Sequence, residues 1–257
     1  MNGHAQFIAF RAILVKEVLR FTRIWIQTIL PPMITTALYF VIFGRLIGSQ
    51  IGDIHGFQYM EYIVPGLILM AVITNSYANV VSSFYSAKFQ HNIEEMLVAP
   101  VPNYLIMIGF IGGGVARGLA VGLAVTIVAL FFTSIPLHNL WVAVSVLLLT
   151  SVLFSLAGLI NAIYATSFDH ISIIPTFVLT PLTYLGGVFY TVAMLPPFWQ
   201  SVSFANPILY MVNAFRYGLL GVSDVNLGVA YLAIVGFIAV LFGFSLSLLN
   251  RGYGIRS

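Results

Sequence analysis

Apolar and polar positions fall into long blocks along this chain rather than alternating at short period. Six blocks nearly free of Asp, Glu and Lys lie near residues 24–47, 60–83, 104–133, 140–165, 170–190 and 228–250. A helix needs about 20 predominantly apolar residues to cross the hydrocarbon core of a bilayer, so each block predicts one crossing. Runs such as LWVAVSVLLLTSVLFSLAGLI, residues 140–160, are apolar on every face. That excludes a β-barrel, whose strands alternate lipid-facing and lumen-facing residues. The expected fold class is an all-α membrane protein with six transmembrane helices, the whole chain 1–257 forming one transmembrane domain.

The interruptions between blocks carry the rest of the pattern. In RAILVKEVLRFTRIWIQ, Lys16, Arg20 and Arg23 recur at helical spacing, with Leu14, Val15, Val18, Phe21 and Trp25 on the other side. This predicts an interfacial helix over 1–23 with its basic stripe near anionic headgroups, or else flanks that only set topology. Pro31 and Pro32 either kink the first span or mark its start. GFIGGGVARGLAVG, residues 109–122, sets Gly109 and Gly113, and Gly114, Gly118 and Gly122, at the small-xxx-small spacing that lets backbones approach. Two readings follow, packing within one subunit or a seam between two. Arg117 on the same stretch either snorkels or is buried for function. Residues 191–222 hold Pro196, Pro197 and Pro207 and are too broken to cross twice. They predict a re-entrant or surface-lying outer helical hairpin, with Asn206 and Pro207 starting its second helix.

Composition agrees with this layout. The 257 residues are 60% hydrophobic and 7% charged, with mean hydropathy +1.03, where soluble domains carry roughly a quarter charged residues. The net charge of +3 does not point to nucleic acid, because the cations follow topology. Arg11, Lys16, Arg20, Arg23, Lys88, Arg251 and Arg256 share one side of a six-span layout, leaving Arg45 and Arg216 outside and Arg117 within a span. The positive-inside rule makes the shared side, and both termini, cytoplasmic. Cationic residues interrupt the N-terminal region where the core of a cleavable signal peptide would sit. With no cysteine, thiols say nothing of the redox compartment.

Most chemistry is missing. The phosphate-cradling loop needs a lysine followed by Ser or Thr, yet Lys16 and Lys88 precede Glu17 and Phe89. His4, His55, His91, His138 and His170 are scattered, without a zinc-binding H-E-x-x-H, and no G-x-S-x-G elbow occurs. No catalytic or metal-binding residue is expected, and no carboxylate relay runs through the spans. What the spans hold is neutral polarity. Thr74, Asn75, Asn79, Ser82 and Ser86 share a face of the second span, and Thr176, Thr180 and Thr183 repeat beside Tyr184 in the fifth. Asn75, Asn79, Thr176, Thr180, Thr183 and Tyr184 either line a pathway or join helices by hydrogen bonds. A neutral, partly apolar lining suits an amphipathic or lipophilic cargo better than a metal ion.

The only adjacent acids, Glu94 and Glu95, lie in SAKFQHNIEEMLVAPVPN, residues 86–103. This stretch predicts a short cytoplasmic helix near 86–99, ended by Pro100, with Ile93, Met96 and Leu97 as apolar anchors amid charge. Such a helix either seats in another protein's groove or stands as a solvated loop. At these residues the chain resembles the membrane subunit of bacterial type-2 ABC transporters, a family of exporter permeases. The basic N-terminal helix, NIEEMLVAPVP after the second span, and LPPFWQ with NPILYMVNAFRYG before the last carry the likeness, which covers essentially the whole chain.

The resemblance implies a bacterial inner-membrane permease with no cofactor of its own, served by a separate ATPase subunit that binds ATP and Mg. It implies that Ile93, Glu94, Glu95, Met96 and Leu97 form the coupling helix, and that two permeases and two ATPases make a working unit. Spans two and five then flank the central path. A passive channel or membrane scaffold is the rival reading, and an intramembrane enzyme, which needs convergent acid, base or metal groups, is a weaker one.

Overall fold

The architecture is that of a computed structural model describing residues 2–254, without the side chains of residues 45–47, 49 and 97. It is all-helical. In chain order the elements are α1 (Gly3–Arg23), α2 (Trp25–Tyr39), which runs on through a π-helical stretch Phe40–Ile47 into α3 (Gly48–Ile51), then α4 (Tyr59–Phe89), α5 (Asn92–Val98), α6 (Asn103–Leu130) and α7 (Leu140–Tyr164). After these come α8 (His170–Ile174), a π-helical stretch Pro175–Leu179, α9 (Thr180–Tyr184), a 3-10 turn Val192–Met194, α10 (Pro197–Phe204), α11 (Pro207–Leu220) and α12 (Leu227–Arg251). Among the described residues the only β pairing is an isolated bridge between Ile54 and Phe57.

Helix ends follow the local chemistry. Asn139, Asn206 and Asn226 accept hydrogen bonds from the first free backbone N–H groups of α7, α11 and α12, as N-caps do. Gly221 and Gly252 close α11 and α12 at φ +80° and +64°, a left-handed conformation that costs glycine least. His91, at φ +60°, ends α4 and opens α5, so the helix expected over 86–99 is two elements with residues 86–89 inside α4.

At the centre stands α4, most of it buried between α6, α7 and α11. Close approach is made by glycine. A Cβ on Gly158 of α7 would lie 2.6 Å from the Tyr77 carbonyl oxygen of α4, and one on Gly118 of α6 would collide with Ser76 Oγ. Gly109, Gly112 and Gly113, on another face of α6, receive Ile13, Leu14 and Glu17 of α1. The glycine-rich face is therefore consumed by packing within the chain, and not by a seam between two chains. It also brings α1 alongside α6.

Contacts sort the bundle into two ends. At one, Lys88 Nζ donates to the Ile163 and Ala165 carbonyls at 2.7 and 2.8 Å, and Asn103 donates to Asn250. At the other, Tyr59 donates to the Phe189 carbonyl, Ser134 to Glu61, and His55 lies 3.5 Å from Asp224. Among the described residues five helical stretches are long and apolar enough to cross a membrane: Trp25–Gly44, Tyr59–Phe89, Asn103–Leu130, Leu140–Tyr164 and Leu227–Arg251. The sixth expected block, 170–190, differs. Only residues 170–184 are helical, roughly 20 Å at about 1.5 Å per residue, against about 30 Å of hydrocarbon. Pro181 clashes with the carbonyl four residues earlier, and the wider π turn before it relieves that clash. The segment still passes between the two ends, from Ile171 beside Asn161 to Phe189 beside Tyr59.

Residues 191–222 leave from and return to the Tyr59 end. Asp224 accepts from the Val192 N–H at 3.3 Å, and its own N–H donates to Asn213. Between these points the chain dips, with Asn206 donating to the Leu182 carbonyl at 2.6 Å.

Candidate functional site

A cavity of about 380 Å³ lies between α2 and α4, with Arg117 of α6 at its back. Proline shapes one wall. Pro31 and Pro32 sit inside α2, withdrawing the N–H groups that would otherwise satisfy the carbonyls of Gln27 and Thr28. Those two residues line the cavity together with the prolines, Thr35, Thr36 and Tyr39. On the facing wall stand Leu67, Met70, Thr74 and Asn75 of α4. Gln27, Thr35 and Thr74 are exposed, so one side is open and its lining mixes hydroxyl, amide and hydrocarbon.

Charge reaches this region from two helices. Arg117, at the midpoint of α6, donates from Nη2 to Asn75 Oδ1 at 3.0 Å, while its buried Nε has no partner. Its guanidinium is tied to α4 by that bond. One to two turns along α4, Arg20 of α1 donates to both the backbone oxygen and Oδ1 of Asn79, each at 2.8 Å. Glu17, fully buried, accepts from Ser83 Oγ at 2.7 Å and lies 3.5 Å from Arg20 Nε and 3.6 Å from Lys16 Nζ. The basic stripe expected at the headgroups is thus corrected. The buried Glu17 carboxylate and Asn79 draw Arg20 inward, Lys16 stays half exposed over the Phe110 ring, and only Arg23 faces fully outward.

The polar faces of the spans divide. Asn75 lines the cavity, whereas Asn79 is fully buried and holds Arg20. Thr176 and Thr180 are exposed, yet each hydroxyl donates to its own helix, at Ser172 and Pro175. Thr183 is buried and bonded to Leu179, off the shared face, because the π turn adds a residue to that helical turn and rotates the residues after it. Tyr184 is exposed, with its hydroxyl 3.4 Å from that of Tyr39 on the cavity rim. Thus α9 meets the cavity through one tyrosine.

The elbow at the Lys88 end also departs from expectation. Ile93 is buried in the chain's own core and is not free to anchor a partner, while Met96 packs against that core and stays partly exposed. Leu97's side chain lies outside the described residues. The surface presents Glu95 and Val98, the latter 88% exposed, with Glu94 partly exposed and 2.9 Å from His91 Nδ1. Beside it a second cavity, about 520 Å³, is lined by Lys88, His91, Tyr164 and Tyr253.

A helical membrane body, a mid-height cavity and an acidic elbow on one central helix is the arrangement that the comparisons with known proteins bear on. The model of the ABC-2 type transporter family matches residues 8–220. The chain belongs to that family. It is 59% identical over 255 residues to the inner membrane transport permease YadH of Escherichia coli K12, covering 99% of both chains. It is 23% identical over 237 residues to nodulation protein J of Rhizobium meliloti, covering 92% of this chain and 90% of that one. This ABC-2 permease is therefore a multi-pass inner-membrane protein, the membrane subunit of a transporter rather than an enzyme, and membership implies a partner ATPase subunit.

Three residues of this ABC-2 permease escape sequence reasoning. Glu17 reads only as an interruption of a basic helix; its spacing to Arg20, three residues on, is the available signal. Arg216 reads as an outer-loop residue, yet it is buried, with its guanidinium 3.9 Å from the Tyr62 ring and Nη2 donating to the Gly187 carbonyl. Tyr39 carries no signal, since its partners Tyr184 and Phe189 are distant in sequence.

Proposed function

We propose that the chain is the membrane half of an ATP-driven exporter that moves an amphipathic or lipophilic cargo outward by alternating access. The observation that carries this reading is the position of two features on one helix. α4 bears the cavity wall at Met70, Thr74 and Asn75 and ends at the acidic elbow of α5. A displacement at the elbow is delivered to the cavity along an unbroken rod. ATP and Mg are handled by the partner, and two permeases with two ATPases form the unit, closed two-fold assemblies being the commonest.

In this reading the passage of residues 170–190 between the bundle ends counts as a sixth crossing. The dip at Asn206 is then a re-entrant hairpin on the outer side, and both termini and α5 are cytoplasmic. Placing α5 there puts Lys88 and Arg251 inside, as the positive-inside rule favours. α1 runs alongside the cytoplasmic half of α6, with Gln6 at Tyr104 and Glu17 at Gly113, and Glu94, Glu95 and Val98 form the contact offered to the ATPase.

Charge reversal, Glu94→Lys with Glu95→Lys, tests this. The expected result is loss of ATPase co-purification from native membranes and of ATP-dependent export, with folding retained. Normal coupling in a well-expressed double variant refutes the elbow's role. Conductance in liposomes holding this chain alone would favour a passive channel.

A further inference from the structure

The cavity holds a cation without a counter-ion. Arg117 sits midway along α6, about where a spanning helix crosses the centre of the hydrocarbon. Among the described residues its one hydrogen bond goes to a neutral acceptor, Asn75 Oδ1, and its buried Nε meets no acceptor. Among the described residues no carboxylate lines the cavity. The nearest acid on the same polar column, Glu17, is already engaged by Ser83, Lys16 and Arg20. Lys16, Arg20 and Arg117 against Glu17 leave this column with excess positive charge. An ionised side chain at this depth is costly and is met by a partner, by water or by a ligand. The cavity that Arg117 lines sets the exposed Thr35 and Thr74 beside the hydrocarbon of Leu67 and Met70, polar and apolar contacts side by side.

We propose that this cavity binds the anionic headgroup of an amphiphile, with Arg117 as its counter-ion and the apolar wall of α2 and α4 holding the tail. The proposal rests on the exporter reading and names its cargo class. A guanidinium suits the role because it stays charged and offers several donors in a fixed plane to phosphate, sulfate or carboxylate oxygens. Asn75 holds that plane towards the opening. A cationic amphiphile of equal chain length gains nothing from this arrangement, and a zwitterionic one gains less than an anion, because its own cation competes with Arg117 for the anionic group.

The test uses the full chain purified in dodecyl maltoside, with binding read from thermal shifts below the probes' micellar concentrations. Dodecyl phosphate is expected to stabilise the protein, while dodecyltrimethylammonium and inorganic phosphate do not. Arg117→Gln is expected to weaken dodecyl phosphate at least about tenfold, the scale of a lost charge-assisted hydrogen bond. It leaves the ligand-free midpoint equal or higher, since an uncompensated charge is gone. Arg117→Lys keeps the preference for anions at reduced affinity, and the surface variant Arg11→Gln changes nothing.

Equal binding of the two alkyl probes, or unchanged affinity in Arg117→Gln, overturns the proposal. Inorganic phosphate binding as tightly as dodecyl phosphate overturns the amphiphile class. Bilayer lipid is separated from cargo in nanodiscs: displacement of dodecyl phosphate by phosphatidylglycerol, and not by phosphatidylcholine, makes the occupant a resident lipid at the same site. Failure of the exporter reading looks different, as no ATPase accompanies the chain while Arg117-dependent binding persists.

Discussion

Glu17 is the carboxylate on which the docking of α1 depends, and Glu17→Gln measures how much. In the native arrangement Oε1 accepts from Ser83 at 2.7 Å, and the two oxygens lie 3.6 Å from Lys16 Nζ and 3.5 Å from Arg20 Nε. The amide keeps the shape and can keep the Ser83 bond, so the change isolates the charge. Removing one member of a fully buried pair costs about 3–5 kcal/mol, because the other charge is stranded. Here the partners are incompletely buried, Lys16 half and Arg20 about a third exposed, and both separations are longer than a hydrogen-bonded ion pair. Arg20 also retains its two bonds to Asn79.

These considerations reduce the expected loss to about 2 kcal/mol, which for a chain of this length lowers the midpoint by about 4–8 °C. The assay is the thermal midpoint of the detergent-purified full chain at a fixed scan rate, since unfolding of such proteins is commonly irreversible. The double variant Glu17→Gln, Arg20→Gln should lose less than the sum of the two singles, because the stranded cation has been removed along with its partner. A single variant within about 1 °C of wild type, or strict additivity in the cycle, would show that the carboxylate is not what holds α1 against α4 and α6.

Other consequences are equally checkable. Gly158→Ala pushes a methyl to 2.6 Å from the Tyr77 carbonyl oxygen, backbone that cannot step aside. Overpacking of about 1–3 kcal/mol should exceed the ~1 kcal/mol gained in helix propensity, lowering the midpoint. Gly236→Ala in α12, where a Cβ meets nothing within 4 Å, is the contrasting case and should be neutral or stabilising in the same assay. Lys88→Met removes two donors from the end of α7, and hydrogen exchange at residues 163–168 should rise by at least about tenfold, at about 1.5–3 kcal/mol per charged hydrogen bond. Unchanged exchange there would mean that α7 is closed without this lysine.

What the chain discloses before folding, and what it hides, depends on the range of each interaction. Blocks of hydrocarbon are local, so five of six expected crossings coincide with long apolar helices. The block at 170–190 reads alike in composition, but Pro175 and Pro181 act through backbone geometry, which hydropathy does not register. The stripe of Asn75 and Asn79 is visible at helical spacing, whereas its meaning is not. Each asparagine serves an arginine distant in sequence, and only packing reveals that one of them faces a cavity and the other is sealed. The glycine run of α6 shows the same limit. Spacing says that something approaches closely, while the identity of the visitor, α1 on one face and α4 with α7 on another, is a tertiary fact. Ile93 misleads for the converse reason: an apolar residue on a charged surface helix looks like an anchor for a partner until the chain's own core takes it.

The central helix ties these pieces into a mechanical argument. α4 runs without a break from Tyr59 to Phe89, about 46 Å at 1.5 Å per residue, and Pro65 is its one interior proline. At one end it is latched through Lys88 to α7 and continues through His91 into α5. At the other, Tyr59 holds the Phe189 carbonyl and Tyr62 lies against Arg216. Close-packed interfaces do not deform continuously; they hold one arrangement or exchange it for another. On the proposed exporter reading, a push on α5 is not absorbed within α4, whose glycine-mediated contacts with α6 and α7 leave no room for bending. On that reading the rod shifts against α2, which departs from ideal helix at Pro31 and Pro32 and again in the π-helical stretch after Tyr39. That is the wall of the cavity. On this reading the compliant side of the cavity is α2 and the rigid side is α4, so stiffening α2 with Pro31→Ala and Pro32→Ala should slow transport while sparing ATPase binding.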